Sequence, residues 1–242
     1  MLKILTYSLN GGRTAMATTT VNGVRTLATF FLVGTAGADV LTGTSGVDDI
    51  RGLEGDDIIY ANQGDDVLRG GPGTDYLSGL SGNDDLRGEG GDDIMLGGTG
   101  DDIYIVDGND IIVEYADEGI DTVRARTSYA LTAQAHVEYL WTDDFLATTP
   151  INLTGNELDN WINGNYGVNL LFGNAGNDRI RGNQGDDQLY GEDGNDDLGG
   201  GDGNDYLSGA DGNDVLEGDA GADIMLGGQG DDRYYAASSD LV

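Results

Sequence analysis

The chain has 242 residues, and its 44 acidic side chains outnumber 11 basic ones to give a formal net charge of −33. So acidic a surface argues against nucleic acid as a partner, and without cations the chain should repel itself and stay expanded. No apolar stretch reaches the roughly eighteen residues of a membrane-spanning helix. The absence of cysteine fits a secreted bacterial chain.

The first element in chain order is a lead-in over residues 1–33. Residues 27–33 resemble the apolar core of a signal peptide, with Arg13 and Arg25 before it. Residues 34–41, however, already keep the spacing of the repeats that follow, so cleavage there would cut a repeat. We therefore expect an opening strand and cap in this segment.

Two runs of a nine-residue repeat, at residues 34–105 and 173–235, occupy most of the chain. In a unit such as residues 70–78, glycines precede an aspartate, and a bulky, usually aliphatic residue follows it by two. A fixed nine-residue period is the sequence signature of a parallel β-helix. The repeated aspartates are Asp39, Asp48, Asp57, Asp66, Asp75, Asp84, Asp93 and Asp102 in the first run, and Asp178, Asp187, Asp196, Asp205, Asp214, Asp223 and Asp232 in the second.

Each unit combines a turn with a short strand. Its glycine-rich half suits a tight turn with positive φ angles, and Tyr76-Leu77-Ser78 reads as a strand with Leu77 inward and its two neighbours outward. Two turns and two strands close one coil, so residues eighteen apart stack at roughly 4.8 Å. The sequence predicts an all-β fold, a parallel β-roll around an aliphatic column.

The same stacking places each repeated aspartate above another. Adjacent carboxylates repel by a few kcal/mol, roughly, at the dielectric of a protein surface, so we expect a cation between them. Calcium accepts six to eight oxygen ligands in flexible geometry, and magnesium demands a tighter octahedron. Zinc prefers nitrogen and sulfur ligands, of which this chain offers one histidine and no cysteine. The stacked pairs number six in the first run and five in the second, which sets an upper expectation of about eleven Ca²⁺ ions.

Residues 70–78 and 200–208 resemble the repeats-in-toxin (hemolysin-type) nonapeptide of secreted bacterial proteins, Gly-Gly-x-Gly-x-Asp-x-aliphatic-x. The resemblance implies that each calcium lies between two turns, held by the sixth-position aspartates and backbone carbonyls. It also implies a secreted, extracellular bacterial protein exported by type I secretion with an uncleaved carboxy-terminal signal. Residues 240–242 match such a signal only faintly.

An internal duplication divides the repeats into two related rolls. Residues 88–112 match residues 218–242 at an offset of 130. Between the rolls, residues 106–154 lose the nine-residue spacing and predict longer strands that extend or cap the solenoid. Residues 155–172 return to register as degenerate repeats, with Asn160 and Asn169 in the aspartate position, so these turns should bind calcium weakly or simply stack. The predicted domains are 1–33, 34–105, 106–154 and 155–242.

The outward positions differ between the two sheets of a roll. Arg51, Arg69 and Arg87 recur every eighteen residues beside acids on one sheet, which indicates charge balance. Tyrosines and aliphatic residues recur on the other sheet, and exposed apolar surface usually marks a contact. A partner domain, another copy or a carbohydrate could dock there, but packing of one roll on the other or on residues 106–154 is the simpler explanation.

The sequence offers little catalytic machinery. A zinc protease or a Ser-His-Asp hydrolase would have to use His136, the single histidine, and no glycine run carries the lysine of a phosphate-binding loop. We expect a non-catalytic, secreted module that folds on calcium binding. The alternative is an accessory portion of an exported protease, lipase, alginate epimerase, toxin or adhesin whose active domain lies elsewhere.

Overall fold

The computed structural model describes the backbone of residues 2–8 and 14–20, and residues 29–242 in full. Much of the predicted lead-in (residues 1, 9–13 and 21–28) lies outside the described residues. The chain divides into two compact units, Met1–Asp121 and Thr122–Val242. Strands, turns and bends make up the described part of each unit, and none of it forms a helix long and apolar enough to cross a membrane.

The first unit begins with antiparallel pairing of its first three strands and continues with parallel strands in two sheets. Odd-numbered strands after β3 join one sheet and even-numbered strands the other. The strands are β1 (Leu2–Ser8), β2 (Thr14–Thr20), β3 (Phe30–Val33), β4 (Val40–Thr42), β5 (Asp48–Arg51), β6 (Ile58–Gln63), β7 (Val67–Pro72), β8 (Tyr76–Ser81), β9 (Asp85–Gly90), β10 (Ile94–Thr99), β11 (Ile103–Val106) and β12 (Ile111–Ile112).

The second unit repeats this alternation with parallel pairing throughout, so that successive strands fall on opposite sheets. Its strands are β13 (Thr122–Ala125), β14 (Tyr129–Ala130), β15 (Tyr139–Thr142), β16 (Leu153–Thr154), β17 (Trp161–Asn163), β18 (Leu170–Ala175), β19 (Arg179–Gln184), β20 (Gln188–Asp193), β21 (Asp197–Asp202), β22 (Tyr206–Asp211), β23 (Val215–Ala220), β24 (Ile224–Gln229) and β25 (Arg233–Tyr235).

The core of each unit is the column of residues two positions after the repeated aspartates. Leu41, Ile59, Leu77 and Met95 pair in register eighteen residues apart, and each is 1% exposed or less. The second unit stacks its own column, for example Leu189 on Leu207. The predicted all-β class and parallel β-solenoid are therefore confirmed, while the division into two separate rolls stays a prediction.

Two local expectations were wrong. Ser78, placed outward by the sequence, is 3% exposed because it lies in register between the larger side chains of Tyr60 and Leu96. The segment 106–154 does not form longer strands: its elements β12 to β16 contain two to four residues each. These short strands nevertheless continue the parallel pairing: β12 pairs with β10 and β16 with β18, while β13 pairs with β15 and β14 with β16.

The predicted arginine row is present in the first unit. Arg51, Arg69 and Arg87 pair in register on neighbouring strands. Asp49 accepts from both Arg51 and Arg69, at 3.1 and 2.8 Å, and Asp85 pairs with Arg87 at 2.6 Å. These half-exposed ion pairs balance charge along the sheet and contribute little stability individually.

Glycine at the repeat turns is enforced by close approach of the coil before it, and Gly91 shows this most clearly. Its φ is +143°, and a Cβ there would lie 1.6 Å from the Gly73 carbonyl oxygen, whereas a Cβ on Gly90 would meet nothing within 4 Å. We expect Gly91→Ala to destabilise the calcium-loaded chain by more than about 2 kcal/mol and Gly90→Ala to change stability by less than about 0.5 kcal/mol. Urea unfolding at fixed calcium measures both, and equal effects would refute the assigned turn geometry.

Candidate metal centre

The repeated aspartates form buried hydrogen-bonded ladders along the turns. In each predicted pair, the backbone N–H of one aspartate donates to the Oδ1 of the aspartate eighteen residues later, over 2.6 to 3.1 Å. The pairs are Asp39 with Asp57, Asp48 with Asp66, Asp57 with Asp75, Asp66 with Asp84, Asp75 with Asp93, Asp84 with Asp102, Asp178 with Asp196, Asp187 with Asp205, Asp196 with Asp214, Asp205 with Asp223 and Asp214 with Asp232. The fifteen predicted site residues therefore form two ladders, the first in the first unit and the second in the second unit. Each ladder consists of two rows, because the pairing steps by eighteen residues and so joins alternate aspartates.

The second carboxylate oxygen distinguishes these ladders from ordinary turn motifs. Within the described residues, Oδ2 is buried and has no hydrogen-bond partner in Asp66, Asp75, Asp84, Asp93, Asp102, Asp178, Asp187, Asp196, Asp205, Asp214 and Asp223. Buried polar atoms in native proteins are otherwise almost always paired. A row of orphaned carboxylate oxygens therefore indicates a partner that hydrogen bonding does not supply.

Glycine backbone completes the surroundings of all the orphaned oxygens except that of Asp66, where Ala61 stands in the glycine position. At Gly79, the position that a Cβ would occupy lies 2.0 Å from Asp84 Oδ2 and 2.8 Å from the Gly97 carbonyl oxygen. Gly209 shows the same arrangement, with Asp214 Oδ2 at 2.0 Å and the Gly227 carbonyl oxygen at 2.7 Å. Carboxylate and carbonyl oxygens thus converge where a side chain would otherwise lie. This all-oxygen donor set fits calcium, which the repeated aspartates and glycine carbonyls would hold.

Burial and the charge of neighbouring carboxylates both disfavour the ionised form of these aspartates. The pKa of Asp66 is raised to about 7, mainly by desolvation and also by the neighbouring carboxylates of Asp84 and Asp48. Desolvation likewise raises the pKa of Asp102 to about 8 and that of Asp178 to about 7, again with contributions from adjacent aspartates. At neutral pH the ladder therefore needs either protons or cations to be stable.

The first aspartates of the first ladder have different surroundings. The backbone N–H of Thr35 donates to Asp39 Oδ2, and that of Thr44 donates to Asp48 Oδ2, each over 2.6 Å. These turns satisfy by hydrogen bonding the oxygens that later coils leave open. Asp232, in the last coil of the second ladder, is only half-buried.

Asparagine replaces aspartate in the first coils of the second ladder, and its side-chain NH₂ group donates hydrogen bonds to backbone carbonyls. Asn160 Nδ2 donates to the Val137 carbonyl over 2.8 Å, and Asn169 Nδ2 donates to the Ile151 carbonyl over the same distance. Both side-chain oxygens accept the backbone N–H four residues earlier. In the ladder manner, the Asn160 and Asn169 N–H groups donate to the Oδ1 atoms of Asp178 and Asp187. These turns therefore stack through hydrogen bonds alone.

Sequence reasoning missed three acidic residues that join the first ladder. Asp110 accepts from the Asp93 N–H over 3.1 Å, and Asp121 accepts from the Asp102 N–H over 2.8 Å. Glu114, 1% exposed, lies close to Asp102 and Asp121. Asp110 and Asp121 escape a strict search because they follow their partners by seventeen and nineteen residues. The match of residues 88–112 with 218–242, where Asp240 accepts from the Asp223 N–H, was the available signal for Asp110.

A model of the RTX calcium-binding nonapeptide repeat matches residues 33–68, 42–77, 69–104, 154–189, 163–198, 172–207 and 199–234. These segments include all fifteen predicted aspartates and together cover more than half of the chain. A comparison with curated proteins gives no match. With the ladder geometry and the repeat match in agreement, the chain is a calcium-binding repeat module and belongs to the RTX (hemolysin-type) calcium-binding nonapeptide repeat family.

Proposed function

We propose that this chain is a secreted, non-catalytic module that folds outside the cell when calcium fills the two aspartate ladders. The observation that carries the proposal is the set of buried Oδ2 atoms without hydrogen-bond partners, all but that of Asp66 facing a glycine backbone. In the folded chain these atoms would bind calcium together with carbonyl oxygens of the same turns. Calcium would supply the positive charge that allows the ladders to remain ionised.

The electrostatics support coupling between binding and folding. Two carboxylates about 5 Å apart repel by about 3 kcal/mol at an effective dielectric of 20, and an internal aspartate such as Asp84 has a neighbour on either side. Because such a site does not exist in the unfolded chain, metal binding energy becomes folding energy. Low calcium inside cells and high calcium outside would then confine folding to the exterior.

The non-catalytic role is supported by how the acidic residues are used. Aspartates that could serve as acid–base pairs are instead held by neighbouring backbone N–H groups along the ladders. His136, the chain's single histidine, lies half-buried in the segment between β14 and β15. An activity screen in calcium with common protease, lipase and glycan substrates should show no turnover, and turnover abolished by His136→Ala would overturn this role.

The role of the ladder carboxylates is tested within a single turn. Asp205 is buried with an orphaned Oδ2, whereas Asp202 in the same turn is exposed and pairs with Gln184. We expect Asp205→Asn to lower the number of bound calcium ions by one or two and the calcium affinity by at least about tenfold, which is about 1.4 kcal/mol. Asp202→Asn should match the wild type, and calorimetric calcium titration measures both.

Asparagine is the sharpest replacement because it keeps Oδ1 as an acceptor for the Asp187 N–H while replacing the negatively charged oxygen. Equal ion counts and affinities for the Asp205→Asn and Asp202→Asn variants would contradict the proposal. A loss in both would mean that the ions bind the exposed acids instead.

A second candidate function, as the accessory portion of an exported enzyme, toxin or adhesin, is favoured by one exposed sheet face. Val40, Ile58, Ile94 and Ile111 recur along the even-numbered strands of the first unit, each 36 to 54% exposed. A contact with another domain would remove this apolar surface from water. The intact mass of the native secreted product separates this candidate from an independent module.

A further inference from the structure

Three buried carboxylates meet at the last coil of the first unit, outside the regular repeat. Asp102, Glu114 and Asp121 are each 1% exposed, and one carboxylate oxygen of each lies within 4.8 Å of the others. The repeat-family matches of the first run end at residue 104 and the next begins at residue 154, so Glu114 and Asp121 belong to no matched nonapeptide unit. Asp102 is shared, because its Oδ1 also accepts the Asp84 N–H.

Glu114 reaches this cluster because the regular strand pairing stops there. Earlier in the unit, the N–H of Gly43 donates to the carbonyl seventeen residues later, that of Tyr60. Gly97 would by the same rule pair with the carbonyl of Glu114, but β12 ends at Ile112 and the Gly97 N–H donates instead to the Tyr104 hydroxyl over 2.6 Å. The Tyr104 hydroxyl in turn donates to Glu114 Oε2.

Tyr104 thereby turns a core position into a support for the glutamate. It occupies the aliphatic position of its repeat, two residues after Asp102, and is completely buried. Since the hydroxyl holds only Oε2, the other carboxylate oxygen is directed elsewhere. Within the described residues, Glu114 Oε1 and Asp102 Oδ2 are buried and have no hydrogen-bond partner.

The local chain contains no basic side chain to neutralise this cluster. Residues 88–123 include neither lysine nor arginine, and Arg87 is already paired with Asp85 at 2.6 Å. An unpaired buried charge is strongly destabilising, and here two buried oxygens converge with a third carboxylate. Carboxylate oxygens at this spacing suit a divalent cation. Calcium fits better than magnesium, because it accepts six to eight oxygen ligands in flexible geometry whereas magnesium requires a regular octahedron.

We infer that Asp102, Glu114 and Asp121 hold a calcium ion that ties the segment after β12 to the last coil of the first unit. This site is separate from the repeat sites, since it uses a glutamate and an aspartate outside the nine-residue spacing. Tyr104 is a positioning residue for this site: its hydroxyl holds Glu114 by a hydrogen bond, and it is not itself one of the three carboxylate ligands. The inference assumes, as the proposed function does, that the chain takes up calcium.

The test is a count of calcium ions per folded chain by native mass spectrometry. Glu114→Gln keeps the shape and the acceptor for Tyr104 but removes the charge, and should bind one ion fewer than the wild type. The matched control is Asp117→Asn in the same segment, because Asp117 is exposed and its φ of 65° is tolerated by asparagine. This control should bind the wild-type number of ions.

The outcomes separate this inference from the proposed function. If the wild type and Asp117→Asn bind calcium and Glu114→Gln binds as many ions, the inference is wrong and the repeats alone bind metal. If none binds calcium, the proposed function fails as well.

A measurement on the unaltered protein decides the matter even if Glu114→Gln does not fold. Long-wavelength anomalous diffraction from crystals grown in calcium should show a peak between the carboxylates of Asp102, Glu114 and Asp121. Burial raises the pKa of Glu114 to about 8, so a proton is the competing occupant. Peaks along the ladders with none at Glu114 would show that calcium does not bind there and would overturn the inference.

Discussion

Removal of calcium at neutral pH is expected to abolish the strand structure of both units. With the metal gone, the aspartate ladders would hold adjacent negative charges with nothing between them, and the chain as a whole carries a net charge of −33. At a calcium concentration of about 100 times Kd, each site stabilises the folded state by about 2.7 kcal/mol. A handful of sites therefore exceeds the roughly 5–15 kcal/mol that separates typical folded domains from their unfolded chains.

Far-ultraviolet circular dichroism in a calcium chelator and in millimolar calcium measures this effect. The chelated chain should show an unfolded spectrum, and calcium added in excess of the chelator should restore the strand spectrum. Magnesium at the same concentration serves as the control for ionic strength and should restore little, because its octahedral geometry suits these turns poorly. Identical spectra with and without calcium would contradict the expectation.

Acid is expected to restore part of the folded structure when calcium is absent. Desolvation raises the pKa of Asp66 and Asp178 to about 7 and of Asp75 and Asp84 to about 6, against an ordinary value of 3.8. The folded chain therefore binds more protons than the unfolded chain in this range. The resulting stability is fully present below about pH 3.8 and is lost as pH rises through about 6 to 7.

The size of the effect follows from the number of extra protons. Each ladder aspartate that is protonated only in the folded state changes the free energy of unfolding by up to about 1.4 kcal/mol per pH unit. In chelator, strand content should thus rise as pH falls from about 8 to about 5. In calcium the dependence reverses, because protons compete with the metal for the same carboxylates.

The measurement is a pair of pH titrations of circular dichroism, one in chelator and one in subsaturating calcium, on dilute protein to limit association near the isoelectric point of about 4.1. Opposite slopes are the predicted result. Parallel slopes would mean that the ladder carboxylates do not control folding.

The regular part of the fold could be predicted from the sequence, because the repeated residues and their spacing determine it. A carboxylate every nine residues, an apolar residue two positions later and glycine at the turns require stacking at eighteen residues, and Leu41, Ile59 and Leu77 stack accordingly. The positions of the ladder aspartates were likewise predictable, because each needs the same partner one coil away. Because every nine-residue unit repeats the same pattern, the structure inferred for one unit applies to the others.

The irregular parts depend on tertiary neighbours that periodicity does not reveal. Ser78 lies in register between Tyr60 and Leu96, and the size of the side chain at this position differs from coil to coil. Glu114 joins the acidic cluster only because β12 ends after two residues and the Tyr104 hydroxyl takes over a backbone partner. Thr44 occupies through its N–H the place that an ion would take beside Asp48.

Protection of the ladder amides against hydrogen exchange, measured in calcium and in chelator at neutral pH, tests most directly whether cations hold the coils together. The N–H groups of Asp66, Asp75, Asp178 and Asp187 donate to carboxylates one coil away and should exchange slowly in calcium. In chelator we predict exchange at the rates of an unfolded chain for all four. Slow exchange of these amides in a chain shown to be free of metal would contradict the account.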